Sequence, residues 1–173
     1  MLSNNRKLIA VIGATGQQGG GVVRALQARG QFKVRALTRN PDKHRDLADE
    51  VVEADLNRPE TLKAAFAGAH GVFLVTTSGL EGTHEFTQGT AAVRAAKAAD
   101  VKHFVWSTLP DIEAISGGRF DARHFTGKAK TTIRTSLALL LRKTRQMDPW
   151  AGLCRLIRTC VAFTWATLTS LET

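Results

Sequence analysis

Gly13, Gly16 and Gly19 stand at Gly-x-x-Gly-x-x-Gly spacing within VIGATGQQGG. Glycines spaced this way after a short apolar run leave backbone N–H groups open to an anion, where a Cβ would hold the anion off. The chemistry they suit is pyrophosphate binding at the positive end of a helix. The plainer use of Gly16 and Gly19 is tight packing of a helix on a sheet. Two cations come next, Arg39 just after FKVRALT and Lys43 one helical turn later. An Asp or Glu at the end of that segment would accept from a ribose 2′-hydroxyl, whereas a guanidinium clamps a 2′-phosphate. The pattern therefore favours NADP(H) over NAD(H), with a solvated loop charge as the plainer reading of Arg39.

Groups able to move protons are few. Ser107 and Thr108 close the apolar run KHFVW and can hydrogen-bond a carbonyl. Lys128 donates a proton only if burial or a neighbouring charge lowers its pKa, and a lysine more often binds ribose or solvent. The histidines, at 44, 70, 84, 103 and 124, show no ligand-like pairing and read as surface or strand-edge residues. Cys154 and Cys160 are six apart, which is neither a zinc nor a redox spacing, so no metal is expected.

These groups need a scaffold, and the chain supplies a rhythm for one. Short apolar runs at 7–13, 32–38, 51–55, 71–77 and 102–108 read as strands. Helical spacing fills 19–30, 41–49, 59–68 and 84–100 between them, with Pro59 in a first turn and Gly68 as a stop. Strands alternating with helices predict βαβ units with right-handed crossovers. The expected fold is α/β, a doubly wound parallel sheet. The glycine triplet then falls at the first strand–helix junction, where a dinucleotide turn belongs.

Composition bounds the rest. A chain of 173 residues with 43% hydrophobic and 23% charged residues suits one globular domain with a real core. No apolar run approaches the ~20 residues of a membrane span. The N-terminal apolar run is too short for a signal peptide, so a reducing cytoplasm is the expected location. The formal net charge of +9 suggests nucleic acid, but its distribution does not. Residues 1–130 hold 18 Lys/Arg against 13 Asp/Glu, and 131–173 hold 6 against 2, with no basic run interleaved with aromatics.

The segments VIGATGQQGGGVVRAL, ALTRNPDK, VVEADLNRPETLKAAFAGAHGVFLVT and VKHFVWSTLPDIEAISGGRFDARHFTGKAK, in that order, resemble the NmrA-like family of atypical short-chain dehydrogenase/reductases. The likeness covers residues 7–130. It implies an NADP(H)-binding fold, used by some members for redox sensing and transcriptional regulation and by others for reduction. By the resemblance Gly13, Thr15, Gly16, Gln17, Gln18 and Gly19 line the pyrophosphate, and Arg39 with Lys43 holds the 2′-phosphate. Asp55 and Leu56 border the adenine, Thr76 and Thr77 lie near the nicotinamide-side ribose, and Lys128 reaches toward the nicotinamide. The short-chain dehydrogenase acid, a Tyr four residues before a Lys, is excluded because the chain has no Tyr. The implied partners are the dinucleotide and, for a sensor, another protein.

After Lys130 the vocabulary changes. Fourteen of the 15 Gly and all 5 His precede residue 131, while both Cys, two of the 3 Trp and nine Thr follow it. The family pattern of an Arg-Pro strand and a substrate lobe is missing from this stretch. The expectation is a dinucleotide-binding domain over 1–130, truncated after its fifth strand, and a non-family tail over 131–173 from a disrupted reading frame. A divergent lobe is the alternative. Ile133, Leu137, Leu140 and Leu141 share one helical face, so part of the tail can be helical.

Overall fold

In β1 (Lys7–Ile12) five apolar residues follow an exposed lysine, and Ala10, Val11 and Ile12 are buried, as a central parallel strand requires. The computed structural model describes residues 6–76, 85–120 and 129. β1 pairs in parallel with β2 (Phe32–Thr38) on one side and β4 (Gly71–Leu74) on the other. β3 (Glu50–Glu53) adds to β2 and β5 (His103–Trp106) to β4, so the order is β3-β2-β1-β4-β5. The reversal of direction at β1 and β4 leaves a crevice beyond the carboxyl ends of the strands, the usual ligand position in open sheets of this kind.

Residues alternate between two cores. Ala10, Ile12, Leu37, Val72 and Leu74 face Leu62 and Phe66 of α2 (Pro59–Phe66) and Ala92 and Ala96 of α3 (Glu85–Ala98). Val11, Val34, Ala36 and Phe73 face Val23 and Leu26 of α1 (Gln17–Arg29) on the opposite side. Helices on both faces of one parallel sheet make the fold doubly wound, as the alternating segments predict. α1 stops at Gly30, whose φ of 66° is the left-handed cap that glycine accepts most readily. Arg35 ties the β2–β3 edge to α2 by donating to the Ala65 and Ala67 carbonyls at 2.9 and 2.8 Å and to Glu50 at 2.6 Å.

The segment 41–49 differs from expectation. Only Pro41–His44 is helical, as one 3₁₀ turn. Asp49 is drawn away to the sheet, where its carboxylate accepts from the Val34 N–H at 2.8 Å and from Arg6 at 3.3 Å. Gln27 of α1 also reaches the Leu47 carbonyl at 3.3 Å. These long-range bonds replace the helical ones.

The chain divides after Trp106. In the second unit Asp111 caps a one-turn helix, α4 (Ile112–Ile115), by accepting from the Ala114 N–H at 3.1 Å. Gly117 and Gly118 follow with positive φ. Sequence reading assigned no helix here. The proposed tail, residues 131–173, lies outside the described residues, as does its helical face.

Candidate functional site

β1 delivers the chain into a turn that only glycine fits. Gly13 has a φ of 72°, and a Cβ there would lie 2.5 Å from Val75 Cγ1. Its carbonyl accepts from the Gly16 N–H at 2.9 Å, which closes the turn. The other two glycines then part company. A Cβ on Gly19 would sit 2.1 Å from the Gly13 oxygen, so Gly19, which is buried, lets α1 close on the turn. A Cβ on Gly16 would meet only that same oxygen, at 3.3 Å. Gly16 faces open space, and Thr15, Gln17 and Gln18 beside it are exposed.

Gly16 is also the N-cap of α1, in extended conformation, with no side-chain cap and no acidic residue in the first turn. The first-turn amides of a helix have no carbonyl partner within it, and its dipole is positive there. A small anion fits this end: glycine keeps the approach open, and no carboxylate of the first turn competes.

The ends of β2, β3 and β4 share the same edge. Thr38 is buried, and its hydroxyl accepts from the Asn40 N–H at 3.2 Å, turning the chain so that Arg39 is exposed. Lys43 is exposed on the 3₁₀ turn. Among the described residues neither has an ion-pair partner, whereas nearby Arg45 holds Asp42 at 2.7 Å. Two exposed cations without ion-pair partners, following the strand that pairs with β1, suit a second anionic group.

Asp55 does local work. Its carboxylate accepts from the Asn57 N–H at 2.9 Å, and its own N–H donates to Thr61 at 3.0 Å. Leu56 packs on the α2–α3 core. Thr76 is buried and donates to Glu85 of α3 at 2.9 Å. One turn further along α3, buried Gln88 donates to Asn57 at 2.8 Å. Ser107 and Thr108 follow β5 in the second unit, half-buried. Thr77 and Lys128 lie outside the described residues.

Two features escaped the sequence reading. Glu85 and Gln88 continue backward the buried stripe of Gly89, Ala92, Val93 and Ala96, a spacing that marks them as inward-facing. His70 and His103 meet at the amino ends of β4 and β5, with ring centroids 5.0 Å apart. Among the described residues no group of three His, Cys, Asp or Glu can hold a metal ion. No helix among them is long and apolar enough to cross a membrane.

A glycine turn between the first strand and first helix of a 3-2-1-4-5 parallel sheet defines a Rossmann-like α/β protein. The chain belongs to the NmrA-like family, whose model matches residues 5–138 and so runs past Lys130. It is 41% identical over 134 residues to the NmrA-like family domain-containing oxidoreductase FrzB of a Cladobotryum species, covering 71% of this chain and 40% of FrzB. The Citrobacter triphenylmethane reductase complexed with NADP(H) superposes with TM-score 0.57 at 31% identity, over 73% of this chain and 45% of that one. NmrA, a negative transcriptional regulator solved with NADP, gives TM-score 0.63 at 26% identity, over 76% and 42%. The chain spans about two fifths of the length of the curated relatives it matches.

Proposed function

We propose that this chain binds NADP(H) and serves as a redox sensor or regulator of the NmrA type, without strong turnover. The observation that carries the binding reading is Gly16, open to solvent at an uncapped helix N-terminus, in contrast to the packed Gly19. On this reading the dinucleotide-binding unit is residues 1–130. The pyrophosphate lies over Thr15, Gly16, Gln17 and Gln18, with Gly13 and Gly19 shaping the turn. Arg39 and Lys43 take the 2′-phosphate, and Asp55 and Leu56 border the adenine. Thr76 and Thr77 flank the nicotinamide-side ribose, and Lys128 extends toward the nicotinamide.

The lack of any tyrosine supports a sensor, because the Tyr-Lys proton relay of short-chain dehydrogenases has no donor here. Bound NADPH supplies a hydride in members that reduce substrates. In this chain Ser107 and Thr108 are the candidates to polarise a carbonyl, and Lys128 to give a proton. A sensor would pass the dinucleotide's state to a protein partner. The second reading, an NADPH-dependent reductase of a small carbonyl or quinone-like substrate, is favoured by the likeness to FrzB and triphenylmethane reductase.

Turnover separates the two. The protein saturated with NADPH should consume none above background when offered quinones, aldehydes and triphenylmethane dyes. Consumption that falls at least tenfold in Lys128→Ala or Ser107→Ala would establish the reductase instead.

A further inference from the structure

The starts of β1, β4 and β5 meet at one corner of the sheet, and His70 ties them together. Its N–H donates to the Leu8 carbonyl of β1 at 2.8 Å, and its carbonyl accepts from the Lys102 and His103 N–H groups at 3.0 and 3.1 Å. The His70 and His103 rings lie 5.0 Å apart between centroids, and Lys7 adjoins Leu8 at the head of β1. Lys7, Lys102 and His103 are exposed and His70 is half-buried, so two ammonium groups and two titratable imidazoles share an accessible corner. Elsewhere on this amino edge the cations are matched: Asp49 takes Arg6 at 3.3 Å, and Glu50 takes Lys33 at 2.6 Å. At the β4–β5 corner Asp100 takes Lys102, and among the described residues Lys7 has no ion-pair partner.

We propose that this corner is a docking surface for an acidic segment of a protein partner, with Lys7, Lys102 and the two imidazoles as its donors. It supplies the partner surface that the sensor reading above calls for, and rests on that reading for its role. The corner lies at the amino ends of the strands, roughly 20 Å along the six residues of β1 from the glycine turn, so partner and dinucleotide can be bound together. Nucleic acid suits it less well, because single strands are tracked by longer basic grooves with stacking aromatics. Burial, then Lys7, His103 and Lys102, hold the His70 pKa below its ordinary 6.5, and Asp100 faces this group only through Lys102. An acidic segment favours the imidazolium, so binding raises that pKa and takes up protons. Affinity should therefore rise as pH falls.

The test titrates fluorescein-labelled octa-aspartate, which stays ionised at pH 5.5, with the full chain and reads fluorescence anisotropy at low salt. Wild type should bind it about threefold or more tighter at pH 5.5 than at pH 7.5. Lys7→Gln/Lys102→Gln, which alters exposed side chains only, should weaken binding by about fivefold or more. Lys63→Gln/Arg94→Gln removes the same charge from exposed sites on α2 and α3 and should change it by about twofold or less. His70→Gln/His103→Gln should flatten the pH dependence, with circular dichroism confirming that each variant is folded. No binding by wild type at pH 5.5, equal weakening in the two charge-matched variants, or tighter binding of a single-stranded oligonucleotide of equal charge overturns the docking surface. A pH dependence that survives the loss of both imidazoles overturns their part in it. Failure of the same protein to bind NADPH while it binds the peptide contradicts the sensor reading and leaves the surface standing.

Discussion

A methyl group on Gly19 would press on the Gly13 carbonyl oxygen from 2.1 Å, whereas one on Gly16 would meet it at 3.3 Å and touch nothing else within 4 Å. The two glycines are therefore separable by substitution. Gly19→Ala forces backbone apart at the α1–β1 junction and should destabilise the fold by about 1–3 kcal/mol in denaturant unfolding. Gly16→Val should leave the circular dichroism spectrum intact and abolish dinucleotide binding, because its methyls occupy the space an anion must enter. Loss of helix in Gly16→Val, or unaltered binding, would return Gly16 to a packing role. The residue types and spacing were enough to find this turn. They could not say which glycine packs and which stays open, because that depends on how closely α1 settles on β1.

At the scale of elements, the strands were legible because buried parallel strands are near-continuous apolar runs, as in KLIAVI and GVFL. The segment before β3 was less so. The helical look of 41–49 yields to bonds from Asp49 to Val34 and Arg6, partners distant in sequence. The polar clasp of Glu85 and Gln88 was half-legible: helical spacing puts both on the inward stripe of α3, but the Thr76 and Asn57 partners come only with the fold. The His70–His103 contact arises from the β4–β5 pairing, which sets Gly71 opposite His103. Burial, then Lys7, His103 and Lys102, hold the His70 pKa below its ordinary 6.5. Lys102 also carries Asp100 as an ion-pair partner. The folded state thus resists a proton that the unfolded chain accepts, so stability should fall as pH drops from about 6.5 toward the folded pKa. Above 6.5 this group contributes no slope. Thermal unfolding across pH 5–8 should show that loss in wild type and less of it in His70→Gln. Asp49 and Glu50, both with lowered pKa values, lose their stabilisation only in more acidic solution, below their ordinary 3.8 and 4.5. An equal slope in His70→Gln would assign the effect elsewhere.

At the scale of the whole molecule, one parallel sheet brings residues from four separate strand ends to a single edge. The glycine turn, the Arg39 loop, the Asp55 loop and Thr76 meet there because parallel strands all point the same way. The net charge of the chain suits an anionic ligand, and on the proposed reading Arg39 and Lys43 select the one that carries a 2′-phosphate. A dinucleotide with a 2′-phosphate differs from one without it only at the site assigned to Arg39 and Lys43. Calorimetric titration of wild type and Arg39→Ala with NADPH and NADH therefore tests the central claim most directly. Wild type should bind NADPH more tightly by about 10- to 100-fold, and Arg39→Ala should lose most of that advantage with little change for NADH. Equal affinities in wild type, or an advantage that survives in Arg39→Ala, would contradict it.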